Sequence, residues 1–599
     1  MTRIIKGVLY SLIFCAFLAT RLPAQSTYKA NSCSESNVSA AIAAEQASPV
    51  DGDIISIPSG TCTWTGSTNI QVSFNNSVTI QGAGAVSSLS GGTGTTGTDQ
   101  TVIIDNLTYS GFSSAIAIHT AAGKSFRWTG IALEENSSSS VAYNGILNIS
   151  GASSAVRIDH NHIVMALQTL GIYIGGTVLG VADHNYFQAT SGLLTFDFEI
   201  QNGQTWNGDS GGYGDASWAD ADYFGSSKFF FIEDTLFSNG DVMDSHDGAR
   251  YVLRYSSISS AGNNGQLFNH GLGGDRGRST RASEVYQNTF TQSAIQGGDA
   301  DGYLGGTLLF WGNTTVSYNC AVGFPLIRAS NATYVQSAPP AEWGYCGGAP
   351  YATGSASIAA NSTALTGSGF STAWPSGSMI ILAGASCTVN SYTSSTCQIS
   401  SVNSSTSITL SSPSTVAVTN GAYTEGSPWD GKSQANGYPC MDGPGRGTGQ
   451  MVSGEFPNVL NSSTGTAAWP NQALDPAYIW DNNYGGSGYG DRALVCPVPG
   501  ITDNVDFYQQ FGTYAEPGTW NGTKGVGQGL YSAIPSTCTA GPGGNTPGVG
   551  YWATDQNTLY VCNPTNTWTA YYAPYTYPHP LTQTGTVPVP PTNVQAVGH

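Results

Sequence analysis

The chain has 599 residues, a formal charge of −19 and only 9 % charged side chains. So acidic a protein lacks the basic face that phosphate binding requires, which argues against a nucleic-acid partner. Apolar and aromatic residues occur in ordinary proportion, which excludes a disordered chain, and 77 glycines with abundant Ser, Thr and Asn describe a turn-rich β protein.

At the N-terminus, Arg3 and Lys6 precede an apolar run from Val8 to Ala19 and then RLPAQS. The run is too short to span a bilayer and has the form of a signal-peptide core. Residues 1–26 are therefore expected to be a signal peptide cut near Ala24 or Ser26, and the protein to be secreted with no transmembrane segment. Bulky Phe14 stands before Cys15 where a lipoprotein signal needs a small residue, so no lipid anchor is expected. Ten cysteines remain, an even number suited to disulfides in an oxidising compartment, and no CxxC pair points to zinc. Connectivity does not follow from sequence; pairing sequence neighbours gives Cys33–Cys62, Cys320–Cys346, Cys387–Cys397, Cys440–Cys496 and Cys538–Cys562.

Val38, Ala41, Ile42 and Glu45 recur at helical spacing, with Ser36 or Asn37 able to cap the start. Pro49 and Asp51-Gly52 then turn the chain into a first strand, Ile54 to Ile57. Further along, a hexad recurs: IDHNHI from Ile158, ADHNYF from Ala182, IEDTLF from Ile232, LRYSSI from Leu253, VYQNTF from Val285 and FWGNTT from Phe310, with FRWTGI from Phe126 as a weaker member. The steps are 24, 50, 21, 32 and 25 residues. Short alternating strands at such a period, without crossover helices, predict a stacked parallel β-helix with the Val38–Glu45 helix as its cap. The fourth position is Asn161, Asn185, Thr235, Ser256, Asn288 and Asn313; Asn tolerates left-handed backbone and can stack its amide on the next rung.

The helix followed by DGDIISIPSGTCTW, the VTIQGAG of Val78–Gly84 and the HNxF-like rungs resemble the pectate-lyase-like right-handed parallel β-helix superfamily over most of residues 27–345. GYPCMDGPGRG (Gly437–Gly447) and YYAPYTYPHPL (Tyr571–Leu581) are similar to the C-terminal part of bacterial secreted members. The resemblance implies the fold. The superfamily holds lyases, hydrolases and non-catalytic adhesins, so it does not by itself imply one activity.

Residues 350–425 interrupt the pattern with β-branched and polar alternation, Gly/Ser turns and no Lys or Arg. They read as a small β-sandwich inserted into a surface loop. Residues 426–582 read as the C-terminal part of the β-helix with wrapping or capping segments, and 583–599 as a Pro-rich extended tail.

The hexad also places chemistry. Its second positions, Asp159, Asp183, Glu233, Arg254, Tyr286 and Trp311, are expected to project outward from one sheet, rung on rung, about 4.8 Å apart. Two residues earlier the column reads Arg157, Val181, Phe231, Val252, Glu284 and Leu309. Stacked carboxylates repel unless a cation intervenes, so Asp159, Asp183 and Glu233 are candidate Ca²⁺ ligands. Alternatively Asp159 and Asp183 cap turns and Glu233 pairs with Arg254. The loop Gln201–Lys228, with Asp209, Asp215, Asp220, Asp222, Trp206 and Trp218, can bind Ca²⁺, wall a sugar groove, or simply be solvated.

Arg250, Arg254, Arg276, Arg278 and Arg281 fall within 32 positions of a chain otherwise poor in positive charge. Guanidinium forks suit carboxylates and sulfates, so the cluster is a candidate seat for an anionic polymer, with Tyr286 and Trp311 as stacking partners; as a purely structural arrangement, Arg276–Arg281 would pair with Asp275 and Glu284. His246 and His270 lie 24 residues apart, about one coil, and so are expected near one another. In a uronan lyase, His270 or His246 is the base and Arg250 and Arg254 neutralise the substrate carboxylate. In a hydrolase, Asp244, Asp247 and Glu284 are the candidate carboxylates. Lyases of the resembled superfamily often use Arg with acid-held Ca²⁺. Of the polygalacturonase motifs only NHG at Asn269–Gly271 is echoed, so no catalytic role is carried over from a family. The expected protein is thus an all-β, secreted monomer that binds and cleaves an anionic, uronate-containing extracellular polysaccharide by β-elimination, with glycoside hydrolysis or non-catalytic glycan binding as alternatives.

Overall fold

The structure, a computed structural model, describes residues 24–109, 113–136, 142–167, 170–190, 195–203, 221–261, 264–270, 279–293, 298–324, 354–372, 374, 379–389, 392–426, 443–450, 471–485, 494–497, 501–510 and 520–583. The signal-peptide core and the Pro-rich tail lie outside them.

Three parallel sheets, of twelve, ten and ten strands, take one strand each from successive coils. One such coil is Ala155–Asp159, His162–Met165 and Leu170–Gly175, after which Gly180–Asp183 pairs back on Ala155–Asp159 in parallel. The chain is a parallel β-helix. Its interior is a continuous column of apolar side chains, among them Ile158, Ile163, Ile172, Phe187, Phe198, Ile232 and Phe237. The helix Glu35–Gln46 covers the N-terminal end with Val38, Ala41, Ile42 and Glu45 buried, as their spacing predicts. Two details differ from expectation. The helix N-cap is Ser34, whose side chain makes no capping bond. The first coil strand is Asp53–Ser56, flanked by Thr27–Lys29 from ahead of the helix.

The hexad register holds. Asp159, Asp183, Glu233, Arg254, Tyr286 and Trp311 are successive partners across the first sheet. The fourth-position side chains form an internal ladder: Asn161 Nδ2 donates to Asn185 Oδ1 at 3.0 Å, Asn288 Nδ2 to Asn313 Oδ1 at 3.1 Å, and Asn313 Nδ2 to Asn482 Oδ1 at 3.2 Å. The left-handed residue, however, is the third of the hexad and not the asparagine: His160, His184, Asp234, Tyr255, Gln287 and Asp481 have φ between 47° and 57°. The turn needs both devices, a left-handed residue to bend the chain and, next to it, an amide to satisfy the backbone groups the bend exposes. Asn313 is fully buried and accepts the Asn288 amide at 3.0 Å. Asn313→Ala therefore leaves several buried groups unpaired, and the urea midpoint should fall by the equivalent of about 2–5 kcal/mol.

The hexad that holds Asn482 is IWDNNY, Ile479–Tyr484, one rung the sequence reading did not count. It follows the interruption and resumes the solenoid: Ala477–Trp480 pairs with Thr307–Trp311, and Val495–Pro497 with Cys320–Phe324. This return corrects the disulfide expectation. Cys320 bonds Cys496, 176 residues away, because the two stand on neighbouring rungs. Cys33–Cys62, Cys387–Cys397 and Cys538–Cys562 pair as expected, and Cys346 and Cys440 lie outside the described residues. No helix among the described residues is long and apolar enough to cross a membrane.

Within the interruption, strands from Ser355–Ile358 to Val418–Gly426 form one antiparallel sheet. Ser362–Gly367 pairs with both Ser355–Ile358 and Ser407–Ser414. That extra pairing closes the sheet, so the expected sandwich is a small barrel with no long free edge to protect. It has its own core, including Leu365, Phe370, Ile380, Ile399, Ile408 and Tyr423.

The last four strands, Val526–Gly529, Gly550–Ala553, Thr558–Cys562 and Trp568–Tyr572, form a cover. They pack Trp552, Leu559, Val561 and Tyr572 on the outer face of the first sheet, against Val252, Tyr286, Leu309, Trp311 and Trp480. The second-position column projects outward from its sheet as expected, but it lies under this cover.

Candidate functional site

Asp159, Asp183 and Glu233 are fully buried and engaged by guanidinium groups. Arg127 donates Nε and Nη2 to the two oxygens of Asp159 at 2.7 and 2.6 Å. Arg157 does the same to Asp183 at 2.9 Å each. Arg254 Nε reaches Glu233 Oε2 at 2.7 Å. The donor set expected for Ca²⁺ is thus already neutralised by three arginines, each one rung from its acid. A cation there would have to displace them.

Arg254 is wholly buried. Beyond Glu233 it donates to Tyr286 Oη and to the carbonyls of Tyr575 and Thr576, at 2.8–2.9 Å. It clamps the segment that follows the C-terminal cover, whose His579 amide returns to Glu233 Oε1 at 2.8 Å. Tyr286 and Trp311 stack at 4.7 Å beneath the same cover. Arg281, also buried, pairs with Asp475 at 3.1 Å. Arg250 is buried with its Nη2 on the Ala221 carbonyl at 3.1 Å. These five side chains build the interior and do not line an open groove. Arg276 and Arg278 lie outside the described residues, as do Asp209, Asp215, Asp220, Trp206 and Trp218; Asp222 accepts the Tyr571 hydroxyl at 3.0 Å.

Glu284, expected on the same outer face, is buried under the cover, where its carboxyl accepts the Gly225 amide at 2.7 Å and the Tyr572 hydroxyl at 2.9 Å. Burial outweighs these bonds and the Arg254 charge and pushes its pKa up to about 7. A raised acid pKa means that the folded state holds a proton the unfolded chain releases. The associated stability is complete below about pH 4.5 and is lost as pH rises to about 7. The Glu284→Gln variant should lack this slope. Measured against the parent by urea unfolding, it should gain about 3 kcal/mol between pH 4.5 and 7.5, the free energy of roughly 2.5 pKa units.

The third sheet gathers the remaining candidates. Phe196–Gln201, Asp241–Ser245 and Leu267–Asn269 are neighbouring strands, with Glu199 opposite Asp244 and Ser245 opposite Asn269. His246 and His270 each follow the end of their strand, and the ladder continues through the His270 amide to the Ser245 carbonyl at 2.9 Å. The two rings lie 6.2 Å apart, as the 24-residue spacing predicts.

The histidines are held differently. His246 is buried, with Nε2 3.2 Å from Glu199 and Nδ1 3.4 Å from Asp247. Burial opposes a charged ring, but the bonds to Asp247 and Glu199 and the nearby Asp244 prevail and push its pKa up to about 10. Both of its ring nitrogens are thereby held against carboxylates. Asp247, which helps hold it, sits at φ 52° in the tight turn before Gly248. His270 is partly exposed, its side chain 23 % accessible, and its Nδ1 lies 2.6 Å from Asp244, which is itself 1 % accessible. Among the described residues its Nε2 has no hydrogen-bond partner. A buried carboxylate that fixes one ring nitrogen leaves the other as a directed proton acceptor. Of the two histidines expected as candidate bases, His270 is the one that keeps a ring nitrogen open among the described residues, and His246 is not.

Glu199, Gln201 and Tyr173 complete this patch, with the Tyr173 hydroxyl donating to Gln201 Oε1 at 3.0 Å and the Gln201 amide 2.9 Å from His246. The sequence reading missed all three because it followed the hexads of the first sheet. The third sheet has its own signal in MDSH (Met243–His246) and LFNH (Leu267–His270), and extending it backward reaches FEIQ, Phe198–Gln201. Elsewhere Asp299 lies beside Cys320 and Cys496, but sulfurs bonded to one another offer no thiolate to a metal.

Comparison with family models, with curated proteins and with solved structures found no match.

Proposed function

We propose that the protein is a secreted polysaccharide lyase of the pectate-lyase-like β-helix type, acting on a uronate-containing polymer. The observation that carries this reading is the Asp244–His270 pair, with the His270 side chain partly exposed, its Nε2 without a partner among the described residues, and the His246 ring 6.2 Å away. In β-elimination His270 Nε2 takes the proton at C5 of the uronate. The electron pair forms the C4–C5 double bond, the C4–O bond breaks, and the departing oxygen is reprotonated. The resemblance to that superfamily, a signal-peptide-like start and four disulfides in the described chain support an extracellular site of action.

Glycoside hydrolysis is the less favoured reading. Glu199 and Asp244 stand one rung apart, near the carboxylate spacing of retaining enzymes, but Asp244 is buried and committed to His270. The deciding experiment incubates the purified protein with uronate-containing and neutral polysaccharides. Accumulation of an ultraviolet-absorbing unsaturated product from a uronate polymer supports the lyase. New reducing ends without that absorbance indicate hydrolysis, and binding without cleavage indicates a glycan-binding protein.

A further inference from the structure

At the opposite end of the third sheet's strands from the histidines, one carboxylate has nothing to bind. Asp197, in the strand Phe196–Gln201, is fully buried, and neither of its side-chain oxygens has a hydrogen-bond partner. Thr195, two residues before it, is equally buried and its hydroxyl is equally without a partner. The Thr195 carbonyl accepts the amide of Asp241 at 2.9 Å, so a second buried acid stands on the neighbouring strand, opposite Phe196. Asp241 Oδ1 accepts the Gln266 amide at 3.2 Å. A Cβ added at Gly240 would lie 2.6 and 3.0 Å from the two oxygens of Asp197, so the glycine leaves room for this carboxylate.

A buried ion without partners is among the costliest arrangements in a folded chain. Burial drives both acids upward, Asp241 to about 7 and Asp197 well above the usual carboxylate range, with the Asp241 charge adding to the rise at Asp197. A proton on Asp197 removes its charge but leaves a new O–H donor and the Thr195 hydroxyl still to be satisfied. A divalent cation resolves both problems at once. Two carboxylates balance its charge, and the hydroxyl oxygen and nearby carbonyls add neutral ligands.

We propose that Asp197 and Asp241, with the Thr195 hydroxyl, form a buried cation site that takes Ca²⁺. Ca²⁺ accepts six to eight oxygen ligands in irregular geometry and sheds its waters readily, whereas Mg²⁺ holds its hydration shell and demands a regular octahedron. The site lies on different residues from the arginine-paired acids of the first sheet and does not depend on the lyase reading.

The test is equilibrium dialysis of the full-length, EGTA-stripped protein against radiolabelled Ca²⁺. The parent should bind one more ion per chain than Asp197→Asn, and excess Mg²⁺ should not displace that ion. Thr195→Val, which keeps the shape and removes one ligand, should weaken the same ion on the order of tenfold. Returning Ca²⁺ to the stripped parent should raise its melting temperature, and that rise should be absent in Asp241→Asn. If Asp197→Asn does not fold, Thr195→Val and the stripped parent carry the test alone. Equal ion counts in parent and Asp197→Asn, or no bound ion in the parent, overturn the proposal. So does an Asp197→Asn protein more stable than the parent in the presence of Ca²⁺, because Asp197 then holds a proton.

Discussion

Arg254→Ala should destabilise the protein by about 3–5 kcal/mol in urea unfolding and release the C-terminal segment to protease. The magnitude follows from what stays behind. Glu233 is fully buried, and its Oε2 is bonded by the Arg254 guanidinium at 2.6–2.7 Å. Truncating the arginine leaves that carboxylate without its counter-charge in a low-dielectric interior, the costly half of a broken buried pair. The same change frees the carbonyls of Tyr575 and Thr576 and the hydroxyl of Tyr286. Limited proteolysis should therefore cut first near residues 573–583, ahead of any cut in the solenoid. The double variant Arg254→Met with Glu233→Gln should recover much of the loss, because neither partner is then stranded. A loss below about 1 kcal/mol with an unchanged cleavage pattern would show that the clamp contributes little.

His270→Ala should lower kcat/KM on a uronate polymer by about 10²–10⁴ while leaving the affinity for the polymer within a few fold. In the proposed lyase the imidazole contributes only at the proton-transfer step, so its removal would cost transition-state stabilisation and not ground-state binding. Asp244→Asn should also lower the rate, although the base itself is intact. The amide no longer favours the tautomer that leaves Nε2 open, nor stabilises the charged ring once the proton has moved. Unfolding midpoints of both variants should be recorded alongside, since Asp244 is buried. Unchanged turnover in His270→Ala would remove this histidine from the mechanism.

Much of the architecture was legible from local pattern alone. Val38, Ala41, Ile42 and Glu45 face the core because helical spacing puts them on one side. The order Asp159, Asp183, Glu233, Arg254, Tyr286, Trp311 followed from hexad arithmetic, because a parallel stack repeats the same turn at every rung and carries register from one coil to the next. The nearness of His246 and His270 followed from the same period. These are one-coil relations, encoded within 21 to 50 residues of chain.

What lay beyond one coil was decided by the tertiary structure. Nothing near Arg254 in the sequence indicates that Tyr575 and Thr576, more than 300 residues later, cover it. The second-position column therefore reads as an open, charged face in sequence and is a covered outer face in the fold. The chain's return to the solenoid after the barrel places Cys496 on the rung beside Cys320 and overrides the nearer cysteine. The difference between the two histidines is of the same kind. Both follow a strand of the third sheet, and spacing treats them alike. Glu199 and Asp247 close on both nitrogens of His246, while Asp244 holds only one of His270. Whether an imidazole is held at both nitrogens or at one depends on partners gathered from several coils, and strand periodicity carries no information about which of them close over it.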